Sequence, residues 1–228
     1  MLFIGLDDTD NLGSRGTGHL ARVIAADLAS DHTVLGVTRH QLLVDPRIPY
    51  TRKNSSAAIL LDDREDTDLQ AVAEQVRDRM RAEYVDGSDP GLCVAQHAPA
   101  EVVAFGKRAQ REVVTHQEAT ELATGHGLVL MGLGGDEGGV IGALAAVGLA
   151  ATGHDGRYVL VGRSRELSGL QTIDALLASG IAAVQTLAGC AVTAGLVKSD
   201  KLRPARRGGC SVLVVERAGE YWMPVKLD

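Results

Sequence analysis

Short apolar runs alternate along the chain with stretches of helical periodicity. The run at residues 2–6 predicts a buried strand, and apolar positions at helical spacing from residue 19 to 30 predict a helix. Alternating residues at 32–46 and the run at 55–62 predict two further strands. An amphipathic helix at 66–85, capped by Asp66 or Thr67, and a turn with a strand at 89–96 then complete a strand–helix–strand unit.

The second half of the chain continues the alternation. It predicts a helical stretch at 100–124, a strand at 128–131, a helix of small residues at 140–151 and a strand beginning at residue 157. A helix near 173–183 and a closing hairpin within 203–228 follow. The sequence therefore predicts an α/β (α+β) fold, in which one domain formed by residues 1–53 and 103–228 is interrupted by a small ferredoxin-like βαβ unit at 54–102.

Composition narrows the class of protein. The 228 residues are 45% hydrophobic and 23% charged, as in ordinary globular proteins, and three dispersed cysteines fit a reducing compartment. No apolar run is long enough to span a bilayer, so we expect a cytoplasmic protein without a membrane partner. The net charge of −6 argues against coating nucleic acid by bulk charge, although two local segments are basic. These are residues 47–53, with Arg47, Arg52 and Lys53, and residues 201–207, with Lys201, Arg203, Arg206 and Arg207.

Three carboxylates follow the first predicted strand. Asp7, Asp8 and Asp10, with the hydroxyl of Thr9 among them, repel one another unless a cation or a hydrogen-bond network collects them. Mg²⁺ binds few carboxylates and bridges to phosphate oxygens, which favours a metal–phosphate site. The alternative is an acidic turn that only caps the strand.

Two glycine-rich turns open predicted helices. One holds Gly16, Thr17 and Gly18; the other contains Gly134, Gly135, Gly138 and Gly139. Backbone N–H groups at a helix N-terminus favour anions, so the pair indicates a nucleotide-phosphate site. Glycines also permit tight turns and close packing, and that alternative stays open for each turn. Neither turn is a Walker P-loop. Lys107 and Arg111 are further candidates for charge clamps.

Four motifs occur in an order and spacing that resemble a known family. They are "GLDDTDNLGSRGTGHLA", "DPRIPYTRKNSSAA", "DPGLCV" and "GLGGDEGGVIGALAAVGL". Together, over roughly residues 1–158, they resemble the archaeal agmatinylcytidine synthetases that modify an isoleucine tRNA. In that family a kinase-like domain is interrupted by a ferredoxin-like domain, and an OB-fold and a zinc ribbon follow.

The resemblance implies an enzyme that uses ATP to phosphorylate an oxygen of a cytidine. An amine then displaces the phosphate. Asp7, Asp8 and Asp10 match the acids near nucleotide and metal, and Thr17 matches the first of two adjacent threonines. Arg52 and Asn54 match the family's T-R-G-N loop, and Gly138 with Gly139 match its second glycine turn. The resemblance thus implies Asp7, Asp8 and Thr17 as catalytic residues, with ATP and Mg²⁺ as cofactors. Thr9, Gly16, Gly18, Gly134 and Gly135 complete the expected nucleotide site.

The chain departs from the family at informative positions. Gly18 replaces the second threonine, Lys53 and Ser55 flank Asn54 where the family has glycines, and no zinc-ribbon spacing follows residue 158. We therefore expect a shortened homologue without a full OB-fold, which contacts tRNA or another RNA through segments 47–53 and 201–207. The alternatives are a small-molecule kinase or ligase that does not act on RNA, and a non-catalytic nucleotide-binding regulator. A homodimer is left open.

Overall fold

A computed structural model describes residues 1–51, 53–62, 67–83 and 85–227. The chain divides into two compact units, Met1–Thr152 and Gly153–Asp228. The division falls directly after a helix of small apolar residues, and each unit has a hydrophobic interior and a set of strands of its own.

The first unit contains five strands and five helices in the described residues. In chain order these are β1 (Leu2–Asp7), α1 (Thr17–Leu28), β2 (Val34–Gln41), β3 (Ser55–Leu61), α2 (Leu69–Ala82), β4 (Gly91–Ala95), α3 (Ala100–Ala109), α4 (His116–Gly125), β5 (Val129–Gly132) and α5 (Gly139–Ala151). Its strands have the order β5-β4-β1-β3-β2, and every neighbouring pair is antiparallel.

The first six elements form a split βαβ arrangement. The chain order β1-α1-β2-β3-α2-β4 with sheet order β4-β1-β3-β2 is the ferredoxin-like connectivity. Gly5 in the middle of β1 lies opposite Ala58 of β3 and Cys93 of β4. The ferredoxin-like unit is therefore made by Leu2–Ala95. Residues 54–102 do not form a sheet of their own, because their strands flank β1 on both sides.

Helix α5 packs closely across β1 and β4. Its sequence, GVIGALAAVGLAA, contains no polar side chain, and eleven of its thirteen residues are buried. A Cβ at Gly5 would overlap the carbonyl oxygen of Ala143, so only glycine lets the helix approach the strand this closely. Residues alternate along β1, so Asp7 faces the same helix as Gly5. The strand thus delivers Asp7 to the N-terminal part of α5.

The second unit is a small mixed sheet with one α-helix in its described residues. Its elements are β6 (Arg157–Leu160), a short 3₁₀ helix (Ser164–Glu166), β7 (Leu170–Thr172), α6 (Ile173–Ala178), β8 (Ala183–Thr186), β9 (Leu196–Lys198), β10 (Ala205–Arg207), β11 (Cys210–Ala218) and β12 (Tyr221–Pro224). The strand order is β6-β10-β11-β12-β9-β7, and β8 lies parallel to β11. Leu176, Val197, Leu213 and Val215 lie in its core.

The predicted α/β class is confirmed, and several predicted elements differ in detail. The helical stretch at 100–124 is two helices, because Thr115 forms a capping box with Glu118 and starts a new one. The helix near 173–183 ends at Ala178, where β8 follows after four residues. Asp68 caps α2 by accepting from the N–H groups of Gln70 and Ala71; Asp66 lies outside the described residues. Strands β7, β9 and β10, of three residues each, were not predicted.

In the parts of the chain that the structure describes, no helix combines the length and the apolarity needed to cross a bilayer. The cytoplasmic location and the homodimer stay predictions.

Candidate active site

A cavity of about 330 Å³ opens at the end of β1. Its walls come from the end of β1, the β2–β3 loop, the start of β4, the α3–α4 connection and the N-terminus of α5. The lining combines acidic, apolar and basic side chains. The acidic side chains are those of Asp7, Asp8, Asp10, Asp89, Glu112 and Asp136. The sequence thus predicted three of the six acids, and the fold brings them together with three others.

Asp7 and Asp8 have strongly shifted pKa values. Burial raises the pKa of Asp7 to about 7, and the nearby carboxylates of Asp8 and Asp10 add to the shift. Burial likewise raises the pKa of Asp8 to about 6, with repulsion from Asp89 and Asp10. Asp8 also has a positive φ of 49°, a conformation that non-glycine residues adopt at a cost. The cavity therefore holds two carboxylates in surroundings that disfavour their charge.

Replacing Asp7 by asparagine is expected to stabilise the protein at pH 8 and to leave its stability at pH 4 nearly unchanged. The folded-state pKa of about 7 lies above the ordinary value of 3.8, so the folded protein holds the proton more tightly. The stabilisation by that proton, on the order of 4 kcal/mol, is complete below pH 4 and is lost as the pH rises through 7. This stabilisation is measured by thermal unfolding of the wild type and the variant at pH 4 and pH 8, without divalent cations. An equal decrease in the melting temperature of the variant at both pH values would contradict the raised pKa of Asp7.

The carboxylate of Asp10 accepts hydrogen bonds from two other segments of the site. Its Oδ1 accepts hydrogen bonds from the N–H (3.2 Å) and the hydroxyl (3.1 Å) of Thr17, and its Oδ2 accepts from the hydroxyl of Thr51 (3.1 Å). Asp10 thus occupies the anion position at the N-terminus of α1. The Thr17 hydroxyl also accepts from the N–H of Thr9 (3.5 Å), while the buried Thr9 hydroxyl has no hydrogen-bond partner in the described residues.

Two acids occupy the N-terminus of α5 in the same way. Asp89 accepts a hydrogen bond from the N–H of Asp136 (3.0 Å), and its carbonyl accepts from the N–H of Gly139 (2.9 Å). The carboxylate of Asp136 accepts from the N–H of Gly138 (2.9 Å). The backbone donors that were predicted to bind phosphate at Gly138 and Gly139 therefore already donate to groups of the protein.

Close packing explains most of the glycines in this region. A Cβ at Gly139 would overlap the Asp89 carbonyl oxygen and lie 2.6 Å from the N atom of Gly91. A Cβ at Gly142 would displace the Asp7 carboxylate, and Gly135 has a positive φ of 61° beside Asp89. Of the glycines predicted to bind nucleotide, Gly138 and Gly139 line the cavity; Gly16, Gly18, Gly134 and Gly135 are not among its lining residues.

The β2–β3 loop forms another part of the cavity wall. Arg47 binds Asp45 through two nitrogens, at 2.8 and 2.9 Å, and this ion pair lowers the pKa of Asp45 to about 2. The side-chain amide of Asn54 donates to the carbonyl of Leu43 (2.7 Å) and closes the loop. Tyr50 and Lys53 line the cavity, whereas Arg52 lies outside the described residues.

Asp89, Glu112 and His116 also line the cavity and were not predicted. Asp89 reaches the site because β4 runs antiparallel to β1, with Asp7 opposite Gly91. In the sequence, the signal for Asp89 was an acidic residue directly before the turn at Pro90. Only the pairing of β4 with β1 brings that residue to Asp7. Lys107 and Arg111, predicted as charge clamps, are not among the lining residues; Arg111 donates to the carbonyl of Lys107 (3.2 Å).

The carboxylates of the cavity are candidate ligands for a hard cation. Among the described residues, no three His, Cys, Asp or Glu side chains are grouped as a metal centre. Mg²⁺ needs only one or two carboxylates when phosphate and water supply the rest, and a cation would relieve the repulsion between Asp7 and Asp8. Asp10 fits this role less well, because both of its oxygens accept hydrogen bonds from Thr17 and Thr51.

No protein-family model matches this chain, and no curated protein matches it at a significant level. Solved structures do match the chain. The chain is 23% identical to apo TiaS, an agmatidine synthetase for an isoleucine tRNA, with a TM-score of 0.56 over 64% of this chain and 35% of that one. The complex of TiaS with its tRNA and ATP gives 24% identity and a TM-score of 0.57, over 64% of this chain and 36% of the other.

A tRNA fluorescent labelling enzyme is 25% identical, with a TM-score of 0.57 over 64% of this chain and 35% of that enzyme. The chain therefore spans about a third of the length of the structures that it matches. At this level of identity the comparisons establish a shared fold: about two thirds of this chain folds like part of TiaS.

Proposed function

We propose that the Met1–Thr152 unit binds ATP with Mg²⁺ and that the protein is an ATP-dependent enzyme that phosphorylates an oxygen atom of an RNA. The observation that carries the proposal is the pair Asp7 and Asp8 in the wall of the cavity, where burial raises their pKa values to about 7 and about 6. Buried carboxylates that repel one another are typical of sites that hold a cation. The similarity to a TiaS structure solved with tRNA and ATP supports the same proposal.

The cavity divides into parts that suit a nucleotide. Asp7 and Asp8 would hold Mg²⁺, which supplies charge neutralisation to phosphate oxygens when bound. Lys53, on the β2–β3 loop, contributes a positive charge to the cavity lining. The lining also includes Leu42, Ile48 and Val114, apolar side chains of the kind that accept a base, and the exposed Tyr50 ring.

This arrangement gives the remaining predicted residues positioning roles. Thr17 and Thr51 hold Asp10 by hydrogen bonds, and Asp10 fixes the loop that carries Asp8 to α1. The backbone donors at the N-terminus of α5 hold Asp89 and Asp136 beside Asp8. Side chains of the β2–β3 loop would therefore contact the phosphates, Asp7 and Asp8 would hold the cation, and the glycines bring α5 close enough to complete the wall.

Calorimetric titration with ATP, with and without Mg²⁺, tests nucleotide binding. Turnover of ATP is then measured with total tRNA and, separately, with a pool of small metabolites. Mg²⁺-dependent binding and turnover stimulated by tRNA are the expected results. Turnover stimulated only by a metabolite would replace the RNA by a small acceptor. Tight binding without turnover would identify a regulator, and absence of binding would overturn the proposal.

A further inference from the structure

A buried serine lies beside Asp7 in the sheet. Gly5 of β1 is opposite Ala58 of β3 in an antiparallel pair. Two residues further toward the cavity, the same register brings Asp7 beside Ser56, and both residues still belong to their strands. Directly opposite residues of neighbouring strands have Cβ atoms about 5 Å apart. Ser56 is therefore the cross-strand neighbour of one of the two carboxylates proposed to hold the cation.

The side chains of Asp7 and Ser56 are on the face of the sheet that α5 covers. The Asp7 carboxylate lies against Gly142 of this helix, since a Cβ at Gly142 would displace it. Because directly opposite residues share a face, Ser56 points to the same side, where it is fully buried. Rotation about the Cα–Cβ bond gives its hydroxyl three staggered positions. The hydroxyl can therefore change its direction without movement of the backbone.

The neighbour of Ser56 on its other side has a hydrogen-bond partner. His40 of β2 lies opposite Ser56, and its Nε2 atom lies 2.8 Å from the Thr38 hydroxyl. That hydroxyl donates to the Ala58 carbonyl (3.4 Å), so Nε2 carries the proton that the Thr38 oxygen accepts. Both side chains are fully buried. The hydrogen bond between His40 and Thr38 therefore does not depend on Ser56.

The Ser56 hydroxyl lacks an acceptor. Its Oγ atom is buried and has no hydrogen-bond partner among the described residues. The Asp7 carboxylate has the complementary deficit. The backbone N–H of Asp8 is the hydrogen-bond donor that lowers its pKa, and no side chain of the described part of the chain is such a donor. A buried polar group without a partner costs free energy, and native proteins contain few of them.

We infer that Ser56 is a positioning residue of the cation site, whose hydroxyl donates to the Asp7 carboxylate and orients it toward a bound divalent cation. This inference rests on the proposed function. Carboxylates that bind metals are themselves hydrogen-bonded by neighbouring groups, and a carboxylate in its charged form accepts the stronger bond. Ser56 is not among the lining residues of the cavity, so it acts through Asp7 and not on the substrate.

The test compares Ser56→Ala with Ser164→Ala in the full chain. Ser164 is also buried, but its hydroxyl donates to the carbonyl of Val161 (2.8 Å), so the control removes a bonded hydroxyl by the same chemical change. Without divalent cations, Ser56→Ala is expected to raise the melting temperature by about 2–4 °C. Ser164→Ala is expected to lower it, because only the control loses a hydrogen bond.

Cation binding is the second measurement. Binding of Mn²⁺ is followed by electron paramagnetic resonance, with and without ATP. Ser56→Ala is expected to weaken it by about tenfold, the usual effect of losing a group that orients a metal ligand, and Ser164→Ala to leave it unchanged. ATP turnover by Ser56→Ala is expected to need about tenfold more Mg²⁺ and to reach the wild-type kcat once the cation is saturating.

The outcomes separate this inference from the proposed function. Higher stability of Ser56→Ala together with weaker Mn²⁺ binding supports the inference, since a merely structural hydroxyl would not change the two in opposite directions. Wild-type Mn²⁺ binding by Ser56→Ala, or a melting temperature lowered as in the control, would overturn the inference and leave the cation site in place. Absence of Mn²⁺ binding by the wild type would remove the proposed function and the inference with it.

Discussion

Replacing Asp8 by asparagine is expected to lower ATP turnover by about 10²–10³-fold, the usual effect of losing one group that stabilises charge in a phosphoryl-transfer site. Asp8 lies in the cavity wall with Asp89, Asp10 and Asp136 nearby, and burial raises its pKa to about 6. The amide retains the shape of the carboxylate and removes its charge. Turnover is measured with saturating ATP across a range of Mg²⁺ concentrations, and the Mg²⁺ requirement is expected to increase in the variant.

A matched control separates this effect from a general change of charge. Asp86→Asn makes the same chemical change at an exposed position of the same unit and is expected to leave turnover unchanged. Asp8→Asn is also expected to maintain or raise the melting temperature at neutral pH, because the carboxylate is destabilised where it lies. Full activity of Asp8→Asn would show that the chemistry takes place elsewhere.

Replacing Gly139 by alanine is expected to destabilise the protein by roughly 2–3 kcal/mol, since the added methyl group forces α5 away from β4. The new Cβ would meet the backbone of Asp89 and Gly91, and backbone atoms cannot rotate away as a side chain can. Denaturant unfolding without nucleotide measures the loss.

Gly125→Ala is the matched control, because Gly125 ends α4 and a Cβ there meets nothing within 4 Å. We expect that variant to be as stable as the wild type or slightly more stable. The pair also decides between two interpretations of Gly139. If the glycine serves packing, unfolding changes without ATP; if it binds phosphate through close approach, stability is retained and only ATP affinity decreases.

The acidic turn was predictable because its signal is local. Three acids directly after an apolar strand place charge at a strand end whatever the rest of the chain does. The glycine turn before α5 was located equally well, within one residue of the observed helix start. The role of this turn was not predictable, because the sequence does not show which acceptor each backbone N–H group finds. Asp89 and Asp136 accept those hydrogen bonds, and Asp89 lies 47 residues earlier in the chain.

The sequence by itself determined the longer strands, the long helices and the position of the acidic turn, since apolar periodicity and charge clustering depend on neighbouring residues alone. Only the tertiary structure decided that residues 54–102 complete the sheet around β1, since pairing partners are set by long-range packing. The same packing brings Asp89 to Asp7 and Asp8. Contacts of this kind depend on which backbones can approach one another, and that is a property of the folded chain.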